Sequence, residues 1–305
     1  MARKDLLAWS MLIGLSIIWG SSFILIKKGL IVYTAGEVGA LRIAAASIFL
    51  LPLAIKGLKQ VKTRHWKLLL CVGFFGSLLP AFLFAKAQTQ LPSSVAGILN
   101  ALTPLFTMLL GVLFFDQRFG WRAVIGLIIG FLGTVFLIVA GSGGDLSDLN
   151  YYGLYVVLAT IFYGANLNLI KFHIYDLGAR AITSISLLMV GPMAIIYLFT
   201  ATTFIAHSQQ EGALFAFSAI VILGILGTAI ALVIFNQLVK ITSPIFTSSV
   251  TYLIPIVAVG WGIFDGEKLF LGHYLGMAMI IAGVYIARRR NTLKQSSESK
   301  TSENR

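Results

Sequence analysis

The stretch Val95-Ala96-Gly97-Ile98-Leu99-Asn100-Ala101-Leu102-Thr103-Pro104-Leu105-Phe106-Thr107, apolar onward to Phe115, decides how the chain is read. It is long enough to cross a bilayer, yet a proline stands in its middle. That proline frees a carbonyl one turn back, and in lipid the freed group must find another partner. Such a break is tolerated where it lines a cavity. The feature recurs in the apolar run 245–264 as Thr251-Tyr252-Leu253-Ile254-Pro255, with Thr251 in the place of Asn100 and Pro255 in that of Pro104. Pro80 is a third candidate helix break, in the run 66–87. Interrupted helices at matching places in two halves point to a transporter's site near the membrane midplane.

Outward from there the chain is apolar almost throughout. Of its 305 residues 58% are hydrophobic and only 11% charged, which excludes an ordinary soluble domain. Runs of about 20 apolar residues, each enough for ~30 Å of hydrocarbon, are read at 6–26, 34–55, 66–87, 95–115, 121–140, 151–170, 179–199, 214–238, 245–264 and 269–287. The expected fold is therefore an all-α polytopic membrane protein of ten transmembrane helices.

The formal charge of +12 would suggest a nucleic-acid partner in a soluble chain, but its placement says otherwise. With the N-terminus inside, all lysines and arginines except Lys27, Lys28, Lys86, Lys268 and the intramembrane Arg42 fall in cytoplasmic segments. The positive-inside rule then puts both termini in the cytoplasm. The expected setting is a cell membrane, most naturally a bacterial inner membrane, with no nucleic-acid partner. A cleaved signal peptide is not expected, since the first apolar run is long and lacks a small-residue cleavage site. Cys71 is the lone cysteine, so no intrachain disulfide can form.

The two halves repeat one another. Trp19-Gly20-Ser21-Ser22 leading to Ile26-Lys27 is spaced as Tyr163-Gly164-Ala165-Asn166 leading to Ile170-Lys171. The fourth and ninth runs share their proline, and the fifth and tenth share a glycine heptad, Gly126 with Gly133 and Gly276 with Gly283. Residues 1–145 and 146–288 are read as two five-helix units and 289–305 as a disordered cytoplasmic tail. Five is odd, so the second unit enters from the opposite face, which is the inverted arrangement associated with alternating access.

With Trp19-Gly20-Ser21-Ser22-Phe23 and Lys27, Leu41-Arg42, Thr103-Pro104-Leu105 and the turn Gly266-Glu267, the chain resembles the EamA family of the drug/metabolite transporter superfamily as two EamA-like units over Leu6 to Ala287. The resemblance implies a basket of ten helices around a cavity lined by spans one, three, four, six, eight and nine, and export of small organic metabolites such as amino acids. The sequence departs from the family pattern at Thr34-Ala35-Gly36-Glu37, where a proline is common, and at Asp116-Gln117, where Gly-Glu is usual.

Trp19 and Ser22 share one helix face, as do Tyr163 and Asn166. An aromatic beside a small polar group suits the floor of a site for an amphipathic solute, although small polar residues also pack helices together. Asn100, Thr103 and Thr107 line one face near Pro104, and Thr247, Ser248 and Thr251 cluster near Pro255. These groups either bind solute or patch the freed carbonyl; Asn100 offers more than the repair needs. With Asn236 and Tyr252, the candidate solute-binding set is Trp19, Ser22, Asn100, Thr103, Tyr163, Asn166, Asn236, Thr251 and Tyr252. Lys27, Lys86 and Lys171 are expected chiefly to snorkel, with gating as the alternative for Lys27 and Lys171. Arg42 lies deeper and should have a partner elsewhere, with a structural ion pair or a carbonyl clamp as the alternative to a functional role. Glu37 is the one acid within an apolar run and is expected to meet water or a cation. With no acid in any span's middle and the four histidines at span ends or in loops, the expected mode is facilitation or exchange rather than proton coupling.

No metal-ligand cluster, nucleophile with base, or clustered carboxylates stands in the spans, so neither catalysis nor a cofactor is expected. An intramembrane enzyme on a lipid-linked substrate and a channel remain the alternatives; the latter lacks a ring of charges or a carbonyl filter. The small-residue faces of spans five and ten either close the bundle or carry a weak homodimer.

Overall fold

The computed structural model describes residues 2–117, 120–141, 151–241 and 250–288. Their helices follow the apolar runs. We number them α1 (Ala2–Gly29), α2 (Ala35–Gly57), α3 (His65–Ala87), α4 (Ser93–Phe114), α5 (Trp121–Gly141), α6 (Gly153–His173), α7 (Ala179–Thr200), α8 (213–241), α9 (Val250–Phe264) and α10 (Leu271–Arg288). Seven of them, α1 to α4 and α6 to α8, are long and apolar enough to cross a membrane, while α5, α9 and α10 contain shorter apolar stretches among the described residues. The chain is an all-α polytopic membrane protein. The tail 289–305, Thr247 and Ser248 lie outside the described residues.

Local sequence explains where the helices start and where they change form. Thr34 caps α2, its hydroxyl accepting from the Glu37 backbone while Glu37 Oε2 accepts from Thr34 N at 2.8 Å. In α4 the backbone tightens to a 3₁₀ turn at Asn100–Leu102, just ahead of Pro104. α3 widens to a π turn at Phe74–Leu78 before Pro80, and α8 does the same over Leu223–Ile230. Pro255 differs from expectation: α9 runs unbroken through it from Val250, and Pro52 and Pro192 likewise stand inside continuous helices. A proline removes one donor and displaces one carbonyl, which a long helix packed against neighbours absorbs by bending.

Packing pairs the helices in an exchanged way. α1 lies against α8 and α9, while α6 lies against α3 and α4. Glycines let these backbones approach: a Cβ on Gly20 would sit 2.7 Å from Val257 Cγ1, and one on Gly164 would sit 2.8 Å from Thr107 N. α2 packs along α7 at one side, and α5 packs along α10 at another. In that last pair a Cβ on Gly283 would meet Gly130 N at 2.5 Å and one on Gly133 would meet Met279 Cβ at 2.7 Å. The small-residue faces of α5 and α10 are thus turned on each other within one chain.

Candidate solute-binding site

Arg42 sits on α2, seven residues in from its start, or about 10 Å along the axis. Its Nε donates to Thr228 Oγ1 of α8 at 2.9 Å, and Tyr163 of α6 lies beside the guanidinium. Next to Thr228, the Gly227 carbonyl accepts from Trp19 Nε1 of α1 at 3.0 Å. The π turn of α8 carries both of these partners. Four helices therefore converge on one polar point, and aromatic rings surround it. Trp19 lies 5.2 Å from Phe235, and Phe84 of α3 stands between Phe23 at 5.6 Å and Tyr163 at 6.1 Å.

Asn166, one turn along α6 from Tyr163, lies against Gly76 in the π turn of α3. Its Oδ1 is buried with no hydrogen-bond partner among the described residues. A buried amide oxygen left without a donor is costly, and among the described residues Gln88 Oε1 and Nε2 are in the same position. Ser22 occupies the matching place on α1: it is buried, faces Gly227, and donates to the Ile18 carbonyl at 3.0 Å.

Thr103 takes the structural side of its two readings. Its Oγ1 donates at 2.9 Å to the Asn100 carbonyl, the group that Pro104 strips of its helical donor. Thr107 then donates to the Thr103 carbonyl at 2.8 Å. Asn100 is half-buried, with Oδ1 at 3.5 Å from Thr103 Oγ1. Thr251 is also half-buried on α9, near Pro255. Asn236 and Tyr252 fall on α8 and α9, and their side chains lie outside the described residues.

The charged residues divide. Lys86 is exposed with its ammonium 5.8 Å from the Tyr152 ring, and Lys171 is exposed 5.0 Å from the Phe172 ring, both in keeping with snorkelling. Lys27 does not snorkel: its Nζ lies 2.7 Å from Asp265 Oδ2 and 2.8 Å from Glu267 Oε1. Lys28 also pairs with Asp265. Glu267 receives four further bonds, from the backbone N and hydroxyl of Ser93 and of Ser94 at the start of α4. Burial works to raise the Glu267 pKa, but Lys27, Ser94 and Ser93 outweigh it and hold the carboxyl down to about 2. Asp265 is likewise held below the usual carboxylate range by Lys27 and Lys28.

Glu37 departs from one of its two expected partners, water. It is fully buried instead of facing water, and its partner is His207, whose Nδ1 lies 2.8 Å from Oε2. His65 is paired too, with Asp176 at 3.1 Å, so two of the histidines set aside in the sequence hold acids in place.

A groove of about 390 Å³ opens between the first half of α1 and the end of α8, lined by Leu7, Ser10, Met11, Gly14, Leu15, Ile234 and Gln237. Trp19 lies one turn beyond Leu15 on α1 and Phe235 follows Ile234 on α8, although neither is among the lining residues. Sequence reading missed Thr228, Gly227, Phe84 and Phe235. A signal for the first two exists: Gly73-Phe74-Phe75-Gly76-Ser77 and Gly224-Ile225-Leu226-Gly227-Thr228 repeat one pattern, and both lie at the π turns. Among the described residues no group of His, Cys, Asp and Glu could hold a metal ion.

Comparison with known proteins places this geometry. An inner membrane transporter of Escherichia coli K12, YedA, itself uncharacterized, is 29% identical over 93% of this chain and 91% of its own. An uncharacterized transporter of Archaeoglobus fulgidus is 26% identical over 89% and 95%. A protein of Streptantibioticus cattleyicolor named "Probable terminal-alkyne amino-acid exporter" is 25% identical over 93% of each chain. A protein of known crystal structure superimposes with a TM-score of 0.62 at 16% identity, over 94% of this chain and 97% of its own, a likeness of fold alone. Residues 6–139 and 151–289 each match the EamA-like transporter family, so the chain belongs to that family and is a small-molecule membrane transporter rather than an enzyme.

Proposed function

We propose that the chain exports small amphipathic organic solutes, amino acids or their relatives, across the inner membrane by alternating access. In this reading it has ten spans in two inverted five-helix repeats, 1–145 and 146–288, with both termini cytoplasmic. The exchanged packing supports the repeat: Gly20 meets Val257 as Gly164 meets Phe106 and Thr107, and Ser22 faces Gly227 as Asn166 faces Gly76. The family match over two successive segments of similar length supports it as well. The E. coli relative's inner-membrane designation supports the location, and the Streptantibioticus relative's name supports the solute class and direction.

The observation that carries the mechanism is the contrast between the two ends of α1. At its last turn Lys27 is tied to Asp265 and Glu267, while beside its first turns the groove from Leu7 to Leu15 stands open. With the N-terminus inside, this is a state shut outside and open to the cytoplasm, with Trp19, Arg42, Tyr163 and Asn166 between. Glu37 is committed to a helix cap and to His207, so the driving force is the solute's own gradient or exchange. The bundle acts as a monomer, because α5 and α10 spend their glycine faces on each other.

The test is counterflow in proteoliposomes over a panel of amino acids and matched organic solutes, with pH gradient and membrane potential collapsed. Accumulation of labelled solute against its preloaded partner is expected. Uphill movement only under an imposed pH gradient, lost in Glu37→Gln, would instead make Glu37 a coupling residue. Cysteine placed at Gln209 in a Cys71→Ser background should label from outside, and one at Lys62 should not.

A further inference from the structure

We propose that Arg42 receives the carboxylate of the transported solute, which makes the cargo an amphipathic organic acid whose apolar body lies against Trp19, Phe84 and Tyr163. This rests on the transport reading and narrows it. A guanidinium offers five N–H donors in a planar fork that fits a carboxylate in two places. Here it meets only neutral partners, Thr228 Oγ1 at 2.9 Å and Tyr163. Neither cancels its charge.

The acids near enough in kind to do so are committed elsewhere. Glu37 is held by His207, Asp176 by Arg64 and His65, and Asp265 and Glu267 by Lys27 and Lys28. Asp116 and Glu211 are exposed outside the helices. Among the described residues none forms an ion pair with Arg42, and no backbone carbonyl accepts from it. An unpaired charge inside a membrane bundle is expensive unless it lines a polar space or awaits a partner.

The charge also belongs to one half only. α7, which packs along α2, carries Thr183, Ser184 and Ser186 along its first half, and each hydroxyl donates to a carbonyl of its own helix. The paired helix therefore manages without an intramembrane cation. Arg42 is half-buried and stands beside Tyr163, whose ring stacks on Phe84. A single cation with apolar walls suits a monoanion; a phosphate dianion would call for a second positive group, and the structure places none on Arg42. The open Asn166 Oδ1, one turn from Tyr163, can accept an N–H from the same solute, as an amino acid would provide.

The test uses purified wild-type protein and phenylglyoxal, with peptide mass spectrometry reading modification at each arginine. Arg64, exposed and outside the site, is the internal control. Modification of Arg42 should be slowed by phenylacetate, 4-methylvalerate or phenylalanine and unaffected by phenylacetamide or phenethylamine. Arg42 inert to the reagent, protected equally by all five compounds, or protected by none would overturn the assignment. In proteoliposomes Arg42→Lys should keep acid transport with a raised KM, and Arg42→Gln should lose it. If Arg42→Gln does not fold, the protection pattern and Arg42→Lys still decide. Transport of amides and amines but not acids would remove the role of Arg42 and leave the transport reading standing. Movement of no solute of any class would remove the transport reading itself.

Discussion

Lys27 and Glu267 lie 240 residues apart in sequence, yet Nζ and Oε1 meet at 2.8 Å and fasten the last turn of α1 to the turn between α9 and α10. The carboxylate is nearly enclosed, with its side chain 4% exposed, while the lysine is 35% exposed. Such a pair lies between the exposed kind, worth little, and the buried kind, costly to break. Lys27→Gln should shift the inward/outward equilibrium toward outward by about 1–3 kcal/mol, or roughly 5-fold to 150-fold. Spin-label distances across the outer face would report it. Distances unchanged from wild type would mean the pair is not a gate.

The same carboxyl sets a pH window. Its value in the closed state, about 2, is below the ordinary 4.5, so closure is fully supported above 4.5 and that support is lost as pH falls toward 2. External acidification from pH 7 to 5 should therefore leave the outer side shut. Opening should begin only below about 4.5, followed as labelling of a cysteine at Ser21 in the Cys71→Ser background. Opening already at pH 6 would mean that Glu267 does not set the window.

In the proposed inverted repeat the counterpart of this lock is missing its acid. Gln117 stands in the turn after α4 as Glu267 stands after α9, and its Nε2 bonds Asn168 Oδ1 at 3.2 Å, while Lys171 is left exposed. Gln117→Glu should pair with Lys171, slow inward opening and lower the turnover rate. Restoration by Gln117→Glu combined with Lys171→Gln would tie the effect to that pair, and an unchanged rate in the single variant would dismiss it.

Gly283→Ala should weaken the bundle without touching the site. The added Cβ meets backbone on α5, Gly130 N at 2.5 Å and Gly126 O at 2.6 Å, where nothing can rotate away. Overpacking of this kind costs about 1–3 kcal/mol. A lower melting temperature with unchanged KM is the expected result; a changed KM would mean that α5 and α10 shape the cavity.

Much of this was legible in the sequence, for a physical reason. A span needs about 20 apolar residues, so Leu6 to Gly29 or Ala35 onward could hardly be anything else. Trp19 and Tyr163, Ser22 and Asn166 could be matched because helical spacing preserves their faces. What stayed hidden depends on partners across the bundle. Nothing near Lys27 announces Glu267, and nothing near Arg42 announces Thr228. Thr103 had two readings until the Asn100 carbonyl was seen at 2.9 Å. Pro255 looked like a break because proline usually is one, yet α9 continues through it.

The wide turns in α3 and α8 carry one more residue per turn of backbone than the helix around them. A helix that expels such a residue turns everything beyond it by about 100°, the angle between successive residues. In α8 that rotation would take Thr228 off Arg42 and the Gly227 carbonyl off Trp19 in a single movement. In α3 it would swing Gly76 from beneath Asn166. Release of cargo would then be a twist like that of a key, with little sliding or tilting of the helices, and α3 and α8 would each hold one key.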